Sequence, residues 1–72
     1  MKKLVLNRVY KIVGYQKGLD EKTKIRLCEF GFVPDTTFCV TFKSLLGKNV
    51  IVEIRGFVLS LKKEYLSCLE VV

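Results

Sequence analysis

The stretch from Lys24 to Asp35 limits the fold of this chain most strongly, because it contains a complete helix stop. Its apolar residues recur at helical spacing, at Ile25, Leu27, Cys28 and Phe30. Gly31 can adopt the positive φ that follows a last helical turn, and Phe32 can pack back onto the helix. Pro34 prevents the helix from continuing. The pattern predicts a helix that ends at this stretch.

The sequence also indicates where this helix begins. Asp20 is a good N-cap residue, and Glu21 lies where the helix dipole favours a negative charge. We therefore predict a helix from about Glu21 to Phe30, which is short enough to need tertiary packing.

The segments on both sides of this helix have the pattern of β-strands. Residues 8–15 are rich in β-branched and aromatic side chains, and residues 36–43 alternate. In the second segment, Phe38, Val40 and Phe42 are predicted to share one face. Residues 49–55 alternate again, with Val50, Val52 and Ile54 on one face, so the two segments are expected to pair as a hairpin.

Gly56 is predicted to form a bulge or a barrel corner. The next strand is expected to carry Phe57, Leu59 and Leu61 on one face; residues 62–67 suit a short helical turn, and residues 69–72 a closing strand. The prediction is a mainly β fold: one domain over residues 1–72, a small bent barrel with one inserted α-helix and a short C-terminal helical turn.

The chain is basic, with 13 Lys and Arg against 7 Asp and Glu and a formal charge of +6. This balance suits nucleic acid, an anionic membrane face or an acidic partner protein, and equally an ordinary solvated surface. The lysines are spread along the sequence with few interleaved aromatics, so a base-stacking platform is only weakly indicated.

The three cysteines, Cys28, Cys39 and Cys68, form no C-x-x-C pair, and the chain has no histidine. We interpret them as small core residues in a reducing compartment, and expect neither a metal site nor a cofactor. The sequence contains no export signal and no run long enough to span a membrane, so we predict a cytoplasmic protein without membrane insertion. It offers no catalytic motif.

In order along the chain, three segments resemble the FeoA family of small SH3-like barrels associated with the ferrous-iron transporter FeoB. Residues 26–34 are similar to the family pattern R-L-x-x-L-G-[hydrophobic]-x-P-G, residues 55–56 to its R-G, and residues 59–64 to its L-A-L-R-R-x-E-A. Where the family has glycine after the proline, this chain has Asp35, which favours a type I over a type II turn. Eight motif residues are predicted to serve the fold: Arg26, Leu27, Gly31, Phe32, Pro34, Arg55, Gly56 and Leu61.

The resemblance implies a noncatalytic accessory protein, without iron ligands of its own, that docks on the cytosolic part of the transporter, with a monomer favoured. The residues predicted to make the contact are Leu45, Leu46 and Lys48. Two leucines beside a glycine-containing turn are expected to be partly exposed, with Lys43 and Lys48 flanking them, although the tip could equally fold onto the barrel. The alternatives are an SH3-like module that binds nucleic acid and a free-standing relative of the SH3-like C-terminal domain of metal-dependent repressors.

Overall fold

The computed structural model describes residues 4–72. The elements follow in the order β1 (Val9–Tyr15), α1 (Glu21–Phe30), β2 (Thr37–Lys43), β3 (Asn49–Ile54), β4 (Phe57–Lys62), α2 (Lys63–Leu66) and β5 (Leu69–Val71). The mainly β class, the inserted helix and the short C-terminal helix are confirmed, and the observed bounds of α1 equal the predicted ones. Within residues 4–72, no helix is long and apolar enough to cross a bilayer.

The strands form one five-stranded antiparallel sheet in the order β4-β3-β2-β1-β5. The predicted barrel is not closed, because β4 and β5 remain at opposite edges of the sheet. Twelve apolar side chains with at most 7% exposure make up the core: Tyr10, Ile12, Leu27, Phe32, Phe38, Val40, Val50, Val52, Ile54, Leu61, Leu66 and Leu69. Strand alternation supplies most of this set, and the helix and its C-terminal cap supply Leu27 and Phe32.

Both ends of α1 have the predicted caps. The Asp20 carboxylate accepts hydrogen bonds from the Thr23 backbone N–H at 3.2 Å and from its hydroxyl at 2.8 Å. At the other end, Gly31 has a φ of 97°. The Gly31 N–H donates to the Cys28 carbonyl at 3.0 Å, and the Phe32 N–H donates to the Leu27 carbonyl at 2.9 Å. These two bonds form a Schellman motif, which turns Phe32 into the core.

The turn after α1 differs from the prediction. The Thr36 N–H donates to the Val33 carbonyl at 3.2 Å, which closes a β-turn with Pro34 and Asp35 at its centre. Asp35 has a φ of 72°, so the turn is type II rather than type I. Aspartate is among the few L-residues that tolerate the left-handed region, which explains why it can replace glycine here.

Three side-chain placements were predicted wrongly. Phe42 is exposed although Phe38 and Val40 are buried, because a bulge between Val40 and Phe42 shifts the β2–β3 register. Phe57 is exposed at the start of β4, although its partner Ile54 across the same hairpin turn is buried. On α1, Cys28 is exposed rather than a core residue.

The predictions for the other residues of the apolar stripe and for the other two cysteines were partly correct. Ile25 is also exposed, so Leu27 is the buried residue of the helix. Cys39 and Cys68 are half-buried, and Cys68 packs against the core.

Candidate docking site

The hairpin between β2 and β3 ends in a well-defined turn. The Gly47 N–H donates to the Ser44 carbonyl at 2.9 Å, and the Ser44 N–H donates to the Asn49 carbonyl at 2.9 Å. The Ser44 hydroxyl also accepts from the Asn49 N–H at 3.2 Å. Gly47 has a φ of 72°, a conformation that favours glycine. This chemistry holds the two central positions of the turn, Leu45 and Leu46, outside the sheet.

Leu45 is fully exposed and Leu46 is 79% exposed, which is more than the partial exposure that the sequence predicted. These are the two most exposed large apolar side chains among the described residues. A leucine in water stabilises a protein far less than a buried one, so neither side chain contributes to the core. We call Leu45 and Leu46 the leucine tip.

Three lysines line a groove at the end of the β3–β4 ladder that follows the leucine tip in the chain. The groove is lined by Lys48, Asn49, Lys62, Lys63, Glu64 and Ser67. Asn49 pairs with Lys62 across the β3–β4 ladder, and the Lys63 N–H donates to the Lys48 carbonyl at 2.8 Å. We call Lys48, Lys62 and Lys63 the lysine cluster. The cluster outweighs the single carboxylate of Glu64, so the groove has an excess of positive charge.

Lys48 follows the leucine tip by two residues and lines the groove, whereas Lys43 makes a contact elsewhere. The Lys43 ammonium donates to the Leu4 carbonyl at 3.1 Å and so faces the N-terminal segment. Sequence reasoning missed Lys62 and Lys63. Their position follows from the register of the β3–β4 hairpin, which a two-residue turn determines.

That two-residue turn consists of Arg55 and Gly56, since Ile54 pairs directly with Phe57. Their φ values of 51° and 81° are those of a type I′ turn. The predicted bulge or barrel corner at Gly56 is therefore wrong. The signal was present in the sequence, because glycine as the second residue of a two-residue loop is typical of such hairpins.

Five of the eight motif residues occupy positions that the fold itself requires. Leu27, Phe32 and Leu61 are buried, and Gly31 and Gly56 have left-handed backbones. A Cβ on Gly31 would lie 3.8 Å from Arg55 Cδ, so the helix stop and the hairpin turn meet in space. Arg26 and Pro34 are exposed. No cluster of His, Cys, Asp or Glu within residues 4–72 has the geometry to hold a metal ion.

Tyr15 connects β1 to the helix stop. Its hydroxyl donates to the Phe32 carbonyl at 2.8 Å and lies 3.3 Å from Cys28 Sγ. Desolvation, followed by the contact with Cys28, raises the pKa of Tyr15 from 10.0 to about 12. The neutral phenol is therefore the form that the folded chain favours.

Comparison with known proteins identifies the family. The FeoA domain model matches residues 2–72. A Pseudomonas aeruginosa protein of known solution structure is 30% identical over 100% of this chain and 96% of that one, with a TM-score of 0.74. No curated protein sequence matches the chain.

Two clostridial structures show the same fold at lower identity. The FeoA-like protein from Clostridium acetobutylicum is 22% identical with a TM-score of 0.82, over 93% of this chain and 76% of that one. Iron(II) transport protein A from Clostridium thermocellum is 22% identical with a TM-score of 0.85, over 96% of this chain and 41% of that one. The family model and the 30% identical relative establish that this chain belongs to the FeoA domain family.

Proposed function

We propose that this chain is a noncatalytic, cytoplasmic accessory protein of ferrous-iron uptake, which docks through the leucine tip and Lys48 on the cytosolic part of a FeoB-type transporter. Membership of the FeoA family supports the pathway, as does the similarity to a clostridial protein described as an iron(II) transport protein. The full exposure of Leu45 beside the lysine cluster is the observation that carries the docking site.

Burial against a partner would lower the free energy of the leucine tip more than that of other exposed side chains. Its turn is already ordered by hydrogen bonds, so little conformational entropy is lost when the leucines are buried. Each leucine transferred from water into an apolar pocket contributes about 1.5 to 3 kcal/mol. The neighbouring lysines favour a partner surface that is acidic around such a pocket.

The test is binding of the transporter to the triple variant Leu45→Ser, Leu46→Ser and Lys48→Glu. Loss of two buried leucines should weaken binding about 100-fold, since each factor of ten corresponds to about 1.4 kcal/mol. Binding is measured by surface capture of purified, detergent-solubilised transporter on immobilised chain. In about 0.15 M NaCl, which screens the effect of the charge reversal, thermal unfolding should show a nearly unchanged midpoint, because the three side chains lie outside the core.

The matched control is Ile25→Ser with Lys22→Glu, which removes an exposed apolar side chain and reverses a charge on α1 instead. This control should bind as the unaltered chain does. Equal binding by the triple variant and the unaltered chain would show that the leucine tip is not the docking site. Absence of binding by the unaltered chain would contradict docking altogether.

Because the lysine cluster is positively charged, nucleic acid is a second candidate partner. Phosphate contacts by Lys48, Lys62 and Lys63 would make affinity fall steeply with salt, by about 0.9 log units per contact for each decade of concentration. Against it, the residues lining the groove include no aromatic side chain on which a base could stack. Titration of the chain with duplex DNA and single-stranded RNA at several NaCl concentrations separates the two partners.

A further inference from the structure

The outer edge of β4 has unpaired backbone groups. In a hairpin with a two-residue loop, the residue pair that closes the loop is joined by backbone hydrogen bonds, and so is every second pair after it. Here the closing pair is Ile54 and Phe57. The Lys63 N–H to Lys48 carbonyl bond continues this alternation. The backbone groups of Val58, Ser60 and Lys62 therefore face away from β3. Since β4 has no other neighbour in the sheet, these groups of Val58 and Ser60 face solvent, whereas Lys62 is the N-cap residue of α2.

Nothing among the described residues covers this edge. The Val58 and Ser60 backbones make no hydrogen bond beyond the sheet, and Val58 and Phe57 are 67% and 70% exposed. β4 is six residues long with continuous register, and it contains neither proline nor a bulge. It thus lacks most of the features by which proteins prevent pairing at an edge, apart from Lys62 at its end.

The opposite edge is different. β5 has only three residues, and its first residue, Leu69, is buried. The Gln16 side-chain amide donates to the Leu69 carbonyl at 3.2 Å. The fold therefore leaves one long open edge, at β4.

We propose that the β4 edge binds an extended, acidic segment of a partner protein, which adds to the sheet as a further strand. The N–H and C=O groups of Val58 and Ser60 supply the main-chain hydrogen bonds. The exposed side chains of Val58 and Phe57 pack against apolar residues of the segment, and Lys62 and Lys63 attract its carboxylates at the other end of the strand.

Charge selects an acidic segment over a second copy of this chain. Two copies paired through β4 would bring together two molecules of formal charge +6, and an antiparallel pairing centred on Ser60 would place Lys62 of each beside Val58 of the other. An acidic strand instead complements the excess charge at the end of β4. The site uses the backbone of β4 and not the leucine tip, so it does not depend on the proposed transporter contact.

The probe is a synthetic peptide of sequence Asp-Glu-Val-Thr-Val-Thr with blocked ends. At about 3.4 Å per residue it is as long as β4, and antiparallel pairing places its carboxylates near Lys62. It is titrated into the full-length chain labelled with nitrogen-15, and the amide chemical shifts are followed. The largest shifts should occur at Val58 and Ser60. Two control peptides accompany it, one N-methylated at the amides that face β4 and one with Asn and Gln in place of Asp and Glu.

The variant Ser60→Pro removes the outward N–H, which β3 does not use, and proline is accepted on strand edges whose N–H faces solvent. It should weaken peptide binding about tenfold or more, since a main-chain hydrogen bond is lost and the proline ring obstructs the added strand. The control Ser60→Thr keeps the N–H and should bind as the unaltered chain does. If Ser60→Pro unfolds, the N-methylated peptide makes the same comparison on the unaltered chain.

Three results would overturn the inference. The first is the absence of shifts along β4 when the peptide is added. The second is binding that salt abolishes but that neither Ser60→Pro nor N-methylation weakens, which would indicate charge attraction alone. The third is a dimer in sedimentation without peptide that Ser60→Pro dissociates, because the occupant of the edge would then be a second copy of this chain.

Discussion

Asp35 has a left-handed backbone that an aspartate adopts at some cost. Its φ is 72°, and its carboxylate lies 3.7 Å from the Lys11 ammonium in an exposed ion pair, which stabilises the fold little. We predict that Asp35→Ala lowers the free energy of unfolding by about 1 kcal/mol, because alanine tolerates this region less well. Asp35→Gly should equal or exceed the unaltered chain. Urea unfolding measures both.

Asp35→Asn is the control for the charge, since asparagine tolerates the same backbone without the carboxylate. It should unfold at nearly the same urea concentration as the unaltered chain. A loss of stability shared by the Asn, Ala and Gly variants would assign the effect to the ion pair with Lys11 instead of to the backbone.

Single-residue environments were the least predictable part of the chain. Val50, Val52 and Ile54 followed simple alternation, but Phe42 did not, because a bulge is set by tertiary register and has no glycine to mark it here. The helical stripe predicted Leu27 correctly and Cys28 wrongly. Apolar character alone does not tell which residues of a short helix face the sheet.

At the scale of elements, Tyr15 links β1 to the end of α1, and this link should depend on pH. Burial and Cys28 raise the pKa of Tyr15 to about 12 from 10.0. Because the folded-state pKa is raised, the stabilisation is fully present below pH 10 and is lost as the pH rises towards 12. Tyr15→Phe loses the hydrogen bond to the Phe32 carbonyl, so near neutral pH it should cost about 1 kcal/mol.

The measurement is the free energy of unfolding of Tyr15→Phe and the unaltered chain, in urea at neutral pH and at about pH 11. The difference between the two proteins should shrink at the higher pH, because there the Tyr15 phenol ionises in the unfolded chain while it stays largely neutral in the folded one. Tyr65→Phe, which retains Tyr15, is the matched control. A difference that stays constant with pH would show that Tyr15 stabilises the fold by packing alone.

Elements whose ends are set by nearby capping and turn residues were predictable from the sequence. The order and register of the strands in the sheet were not. The helix bounds followed from Asp20 and Gly31, whose capping bonds form within a few residues. The exposure of the leucine tip followed from a turn between two alternating segments. The open edge at β4 and the lysine cluster depend on which strands pair and in which register, and these are long-range choices.

At the scale of the molecule, the excess of positive charge is a source of self-repulsion. The chain measures 29 × 24 × 21 Å and carries a formal charge of +6. At about 0.01 M salt the Debye length is about 30 Å, so charges interact across the whole molecule. The two ion pairs among residues 4–72, Lys11 with Asp35 and Lys24 with Glu21, are exposed and offset little of this repulsion.

We therefore predict that NaCl stabilises the chain. Raising its concentration from about 0.01 to about 0.15 M shortens the Debye length to about 8 Å, which screens the distant repulsions first. The thermal midpoint should rise by about 3 °C, which for a domain of this size corresponds to less than 1 kcal/mol. Differential scanning calorimetry in low-salt buffer measures the shift, and the same range of a nonionic solute should leave the midpoint unchanged.

The variant Lys17→Glu tests the cause, because it lowers the formal charge from +6 to +4 at an exposed loop position. Its midpoint should lie above that of the unaltered chain at low salt, and NaCl should then raise it less. If NaCl instead lowers the midpoint of the unaltered chain, attractive pairs outweigh the net repulsion, and the charges of this domain stabilise its fold.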